Sequence, residues 1–195
     1  MNAPSFNAMQ TVKRRFFAMR NGIIADTLRK AGSPFRIIFG LNLPQIVEIA
    51  NETGVSMQLA EDLWANNTTR ESMLIAPLIA DKEAFTQADA ERWIATIPAA
   101  EVADILCHKL LRYQSYAWEL AEKLVADNMA LKELADGTPT RAEWGHYTAV
   151  RLAFNLLSQD PARALPIANT PNLSENAHSL AASLANEASF LLGNI

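Results

Sequence analysis

The stretch from Glu101 to Arg112, EVADILCHKLLR, sets four side chains with chemical capability among its leucines: Asp104, Cys107, His108 and Arg112. A carboxylate can stabilise a developing cation or orient water, an imidazole can exchange protons near neutral pH, and a guanidinium can hold an oxyanion. Laid on a helix at about 100° per residue, Val102, Leu106, Leu110 and Tyr113 form the apolar stripe. Asp104 and His108 fall one turn apart on the far side, with Leu111 between them in angle. The spacing leaves Asp104 three environments: solvent, an ion pair with His108 or Arg112, or a groove. An (i, i+4) pair on a wet helix contributes only about 0.2–0.5 kcal/mol, so pairing alone would give Asp104 little structural importance. His108 reads as a surface neighbour of Asp104, with a groove-lining or proton-exchanging role as the alternative. Cys107 reads as a small buried apolar residue.

The elements that must position these groups are helical. Glycine is scarce and sits where helices should stop: Gly32 after LRKA, Gly54 after ANET and Gly137 after LKELAD. Thr68 with Glu71 and Thr86 with Asp89 have capping-box spacing, and Thr138-Pro139 offers an N-cap followed by proline at the first helical position. The pattern predicts helices over 5–19, 21–31, 43–53, 56–66, 69–80, 86–97, 99–112, 115–128, 139–158 and 173–192. Pro77 should kink or shorten its helix. SPFRIIFGLNLP reads as a connection with at most a short helical turn, and DPARALPIANTPN, with its three prolines, as irregular. Short helices joined by short loops suggest stacked helix pairs, because one pair alone cannot bury both apolar faces. The expectation is one all-α domain over 1–195, a right-handed α-α superhelix of HEAT-like helix pairs with diverged repeats.

Several function classes drop out. One cysteine and three scattered histidines (His108, His146, His178) make no zinc signature, so no metal is expected. No glycine-rich phosphate loop, dinucleotide fingerprint or nucleophile elbow is present, and no cofactor is expected. No stretch approaches the roughly 18 apolar residues of a membrane span. The N-terminal residues have no apolar signal core, and a lone cysteine suits a reducing compartment, so a cytoplasmic location is expected.

The formal charge of −4 hides an asymmetry. Residues 1–50 hold Lys13, Arg14, Arg15, Arg20, Arg29, Lys30 and Arg36 against Asp26 and Glu48, whereas the remainder is acidic. Such a basic end can attract phosphates; the bland alternative is a solvated helix face. Trp64, Trp93, Trp118 and Trp144 each fall in amphipathic helices and read as mostly core. Trp93 and Trp144 are the two to line a groove if either does.

DLWANNTTRESMLIAPLIAD, then AERWIATIPAAEVADILCHKLLR, then AEWGHYTAVRLAFNLL resemble the bacterial DNA alkylation repair family of HEAT-like helical proteins, over roughly residues 10–160. The resemblance implies a monofunctional N-glycosylase, a hydrolase that releases N3- and N7-alkylated purines from double-stranded DNA held on a basic concave face. By motif position, Asp104 matches the family carboxylate and Arg151 the arginine that holds the DNA backbone near the lesion. Lys13, Arg14, Arg15, Arg20, Arg29 and Lys30 would supply further backbone contacts. Two departures stand out. The family tryptophan one turn before the carboxylate is here Ala100, and the second aromatic has no counterpart in NAHSLAASLANEASFLL. The second reading is therefore a HEAT-like scaffold that binds DNA or a protein partner without chemistry.

Overall fold

The computed structural model describes residues 7–126, 132–133, 139–140 and 144–193, which group into two compact units, Met1–Phe85 and Thr86–Ile195. Among the described residues no helix is long and apolar enough to cross a membrane.

The first unit holds α1 (Ala8–Ala18), α2 (Gly22–Lys30), α3 (Leu43–Thr53), α4 (Met57–Ala65) and α5 (Arg70–Ile79). α5 packs against α3 and α4 and buries nearly every residue, including Met73, Ile75 and Ile79. Pro77 lies inside it, and the helix runs through the proline to Ile79, only one residue short of the expected 69–80 at each end. Gly32 (φ +83°) and Gly54 (φ +75°) stand in left-handed backbone at the ends of α2 and α3, as read from the sequence.

The segment before α3 contains no helical turn. It runs extended and forms a single parallel bridge from Ile37 to Thr69, with the Arg70 amide donating to the Ile37 carbonyl at 3.0 Å. That carbonyl meets an orphan donor of α5, so the Thr68–Glu71 capping box does not form. The N-cap is Thr69, and it makes no side-chain cap bond. Glu71 turns into the core, fully buried. It accepts from the amides of Phe39 (3.0 Å), Gly40 (2.9 Å) and Leu41 (3.3 Å) and from the Arg70 guanidinium (3.1 Å). Gly40 has φ +79°, and a Cβ there would lie 2.2 Å from the Asn21 carbonyl oxygen. Only glycine lets the start of α2 sit this close to the segment.

The second unit holds α6 (Gln87–Ile94), α7 (Ala100–Lys109), a 3-10 turn (Leu111–Tyr113), α8 (Ala117–Ala126), α9 (Gly145–Leu156), α10 (Pro161–Ala168) and α11 (Glu175–Leu191). Lys132–Glu133 and Pro139–Thr140 form a two-residue antiparallel pair. The expected helix start at Thr138-Pro139 is corrected accordingly: Pro139 and Thr140 are extended, and α9 begins at Gly145. Thr138 and Gly137 lie outside the described residues, as do 127 and 128 of the expected 115–128 helix. The Thr86–Asp89 capping box forms as read. α10 is a helix where three prolines suggested irregular chain. Pro161 sits in its first turn, where no amide is missed, and Asp160 caps the Arg163 amide at 3.0 Å.

α9 is the hub of this unit, packed against α7, α8, α10 and α11. One of its ties to α11 is titratable: the Ser174 amide donates to His146 Nδ1 at 2.9 Å. Burial holds the His146 imidazole below its ordinary 6.5. The unfolded chain then binds the proton more readily than the folded one. Stability is fully present above 6.5 and falls as the pH drops through the depressed value. His146→Asn keeps an acceptor for the Ser174 amide and removes the titration. Thermal melts from pH 7.5 to 5 should show a shallower decline for this variant than for wild type. The residual slope would belong to His108, which is also depressed, by burial and by Lys109 and Arg112. Equal slopes for the two proteins would contradict the assignment.

Candidate active site

Val102, Ala103, Leu106 and Cys107 give α7 a fully buried face, and that face packs on α9. Burial pushes the Cys107 thiol far up, so it is no nucleophile at neutral pH. The helix ends at Lys109 and rewinds as the 3-10 turn. Leu111 is therefore buried, whereas Tyr113, expected on the apolar stripe, is 57% exposed.

This packing carries Asp104, in the second turn of α7, to the α9 pair Tyr147 and Arg151. Arg151 Nε lies 2.6 Å from Asp104 Oδ1. The Tyr147 hydroxyl donates to the same oxygen at 2.9 Å, and Arg151 Nη2 donates to the Tyr147 hydroxyl at 3.0 Å. The Nε contact is a close ion pair and not an aligned hydrogen bond, because that N–H finds no acceptor along its axis. The aligned donation from the guanidinium goes to Tyr147. The Arg151 guanidinium carbon sits 5.6 Å from the Tyr147 ring centroid, and Trp144 meets the same ring edge-on at 5.4 Å.

The three groups form a closed triangle on one carboxylate oxygen. Asp104 Oδ2 receives no donor from the described residues, and the side chain remains 41% exposed. Burial raises the Tyr147 phenol above its usual value, helped by Asp104, which keeps it a proton donor. Burial works against the charge of Arg151, but the bond to Tyr147 and the field of Asp104 outweigh it and raise its value. The result is a carboxylate fixed from one side by a phenol and a guanidinium, with its second oxygen open. Such a group can stabilise a cation electrostatically without reorganising.

His108 is not part of this triangle: its Nδ1 lies 3.3 Å from Arg112 Nη1 on the exposed side of α7. The pairing of Asp104 with His108 or Arg112 is replaced by the tertiary pair with Arg151, 47 residues on. Trp93 is fully buried among the core of the second unit and lines no groove. Trp144 is half-buried and joins the cluster through Tyr147. Tyr147 is the residue that sequence reasoning missed. Its signal was present as an (i, i+4) step to Arg151 along one face of α9 and an (i, i+3) step from Trp144, the N-cap of that helix. Ala100 is the first residue of α7, so no aromatic ring stands one turn before Asp104.

The six N-terminal basic residues belong to the first unit. Arg15 is engaged by Glu52 at 2.7 Å and Glu48 at 3.4 Å, and Arg29 by Asp26 at 2.9 Å. Arg20 lies over the Phe17 ring, 3.9 Å from its centroid. Lys13 is half-buried, and Arg14 and Lys30 are exposed. Among the described residues no cluster of three or more His, Cys, Asp or Glu could hold a metal ion.

The family model described as DNA alkylation repair enzyme matches residues 12–133, more than half of the 195-residue chain. One solved structure, described as "a new family of proteins related to the HEAT-like repeat DNA glycosylases with affinity for branched DNA structures", is 19% identical. It superposes with a TM-score of 0.60, covering 92% of this chain and 83% of that one. That likeness shows the HEAT-like repeat fold. No curated protein matches the chain.

Proposed function

Because the chain belongs to the DNA alkylation repair enzyme family, we propose that it binds DNA and cleaves the N-glycosidic bond of N3- and N7-alkylated purines, with Asp104 as the stabilising carboxylate. The observation that carries this reading is the triangle of Asp104, Tyr147 and Arg151, which holds one carboxylate oxygen and leaves Oδ2 open.

An alkylated purine already carries positive charge, so its departure needs little acid help. The bond from C1′ to the base nitrogen breaks with its electron pair moving to the base, which leaves neutral. The charge passes to the sugar, spread over C1′ and the ring oxygen. A fixed carboxylate lowers the energy of that oxocarbenium-like state, as in glycoside hydrolysis. Water then adds at C1′ and gives its proton to the carboxylate or to solvent, leaving an abasic site. Arg151 has a second use, since its planar fork suits phosphate oxygens.

The test is liberation of free alkylpurines from a methylated duplex incubated with the protein, read by chromatography of the released bases. Tyr147→Phe removes the hydroxyl from Asp104 Oδ1 and should slow release by about tenfold, the scale of one hydrogen bond of about 1.5 kcal/mol to a charged group. Tyr147 is a positioning residue, so the loss should fall on the single-turnover rate and leave duplex affinity unchanged. An unchanged rate would remove Tyr147 from the account.

A second reading, DNA binding without excision, is favoured by Ala100 and by the ion pair itself. With no aromatic wall at position 100 the lesion has less to pack against, and Arg151 offsets much of the Asp104 charge. The solved relative's affinity for branched DNA points the same way. Tight duplex or branched-DNA binding with no base release would favour this reading over the first.

A further inference from the structure

A concave site of about 450 Å³ lies in the first unit between the end of α1, the start of α2 and the Ile38-Phe39 segment. Arg20, Gly22, Ala25, Arg29 and Phe39 line it. Both arginines are held in place before any ligand arrives. Arg20 lies over the Phe17 ring and donates from Nη1 to the Phe17 carbonyl at 2.8 Å. Arg29 donates from Nη1 to Asp26 at 2.9 Å and from Nη2 to the Ile38 carbonyl at 3.3 Å.

These anchors use part of each guanidinium. Nε and Nη2 of Arg20 and Nε of Arg29 have no acceptor among the described residues. Asp26 offsets part of the Arg29 charge, but its side chain is 67% exposed and it stands against two lining arginines, so the balance of these three groups is positive. Phe17, under the Arg20 guanidinium, is 58% exposed, and Ile23, next to the lining residue Gly22 in sequence, is 81% exposed, so both present apolar surface. Two planar forks held before binding, with apolar surface beside them, suit a phosphate group carried on a sugar.

We infer that this cavity binds one phosphodiester group of the DNA strand, with Arg20 and Arg29 as its clamp and Phe17 and Ile23 against the neighbouring sugar. The assignment rests on the reading that the chain binds DNA. It turns a diffuse basic end into one defined point of grip, and it separates Arg20 and Arg29 from Arg15, whose charge is taken up by Glu48 and Glu52.

Duplex affinity by fluorescence anisotropy, from low to high salt, tests this for wild type, Arg20→Gln/Arg29→Gln and Gly22→Glu. The double variant should bind about tenfold more weakly at 0.1 M salt and lose about one to two counterions from the slope of log affinity against log salt. Gly22→Glu guards against misfolding, because a Cβ at Gly22 would meet nothing within 4 Å. An acid at the first position of α2 favours the helix, so its melting temperature should hold while its carboxylate answers the two arginines and weakens DNA binding. If wild type binds with a steep salt slope and both variants match it, the cavity assignment fails and the DNA reading stands. If wild type shows no salt-dependent DNA binding, both fail. If both variants match wild type on duplex and a competition arm shows inorganic phosphate or a nucleoside monophosphate bound by wild type alone, the cavity serves a free phosphate and the strand assignment is overturned.

Discussion

Asp104→Asn should lower the single-turnover rate of alkylpurine release by about 100- to 1000-fold, the range seen when one preorganised electrostatic stabiliser is removed from an active site. The substitution keeps the shape of the side chain, and the Asn carbonyl oxygen can still accept from Tyr147. What disappears is the negative charge facing the sugar cation. The fold should tolerate the change, because Asp104 and Arg151 are 41% and 28% exposed in their side chains and a partly solvated pair contributes about 1 kcal/mol or less. Duplex affinity should hold or rise, since Arg151 is released from its ion pair to meet phosphate. A variant that excises as fast as wild type would remove the carboxylate from the chemistry. A variant that merely unfolds would show itself in its melting curve.

The second large effect is on stability. Glu71→Ala should cost the first unit about 3–5 kcal/mol, the scale of breaking a buried ion pair from one side. The carboxylate is fully buried, and its removal strands the amides of Phe39, Gly40 and Leu41 as well as one bond of the Arg70 guanidinium. Arg70 keeps its 3.0 Å bond to the Leu41 carbonyl, so a neighbouring positive charge stays buried with less to offset it. Glu71→Gln leaves one acceptor oxygen and should lose less. Urea denaturation of the three proteins checks the order, and a loss under about 1 kcal/mol for the Ala variant would contradict it. The consequence reaches function, because the amides that Glu71 holds include that of Phe39, a wall of the arginine cavity.

Glu71 also shows where sequence reading reaches its limit. Thr68 and Glu71 have the spacing of a capping box, yet the partners that claim the carboxylate lie about thirty residues earlier. A local pattern cannot announce donors that only packing delivers. Thr86 and Asp89 have the same signature and do form the box; the further donor to Asp89, Arg92, is local too. Helix stops at Gly32 and Gly54 were legible for the same reason: a left-handed φ is a local requirement. α10 was hidden by its prolines, although Asp160-Pro161 is a valid start signal.

The site divides along the same line. Helical spacing correctly put Asp104 off the apolar stripe of α7, but left its partner open among neighbours in sequence. Resemblance to the family supplied Arg151 as a separate functional residue. That the two would touch, with Tyr147 closing the triangle, depends on how α7 packs against α9. Trp93 was legible from its helix alone: amphipathic spacing reads it as core, and the ring is fully buried.

The central claim is that the open oxygen of Asp104 faces the sugar of an alkylated nucleotide and speeds loss of its base. The most direct measurement is the single-turnover release of 7-methylguanine from a duplex carrying one such lesion, with protein in excess, set against the same duplex alone. Release by wild type well above the spontaneous rate, and near the spontaneous rate with Asp104→Asn, is the predicted result. Saturated binding of the duplex with release no faster than in buffer would contradict it.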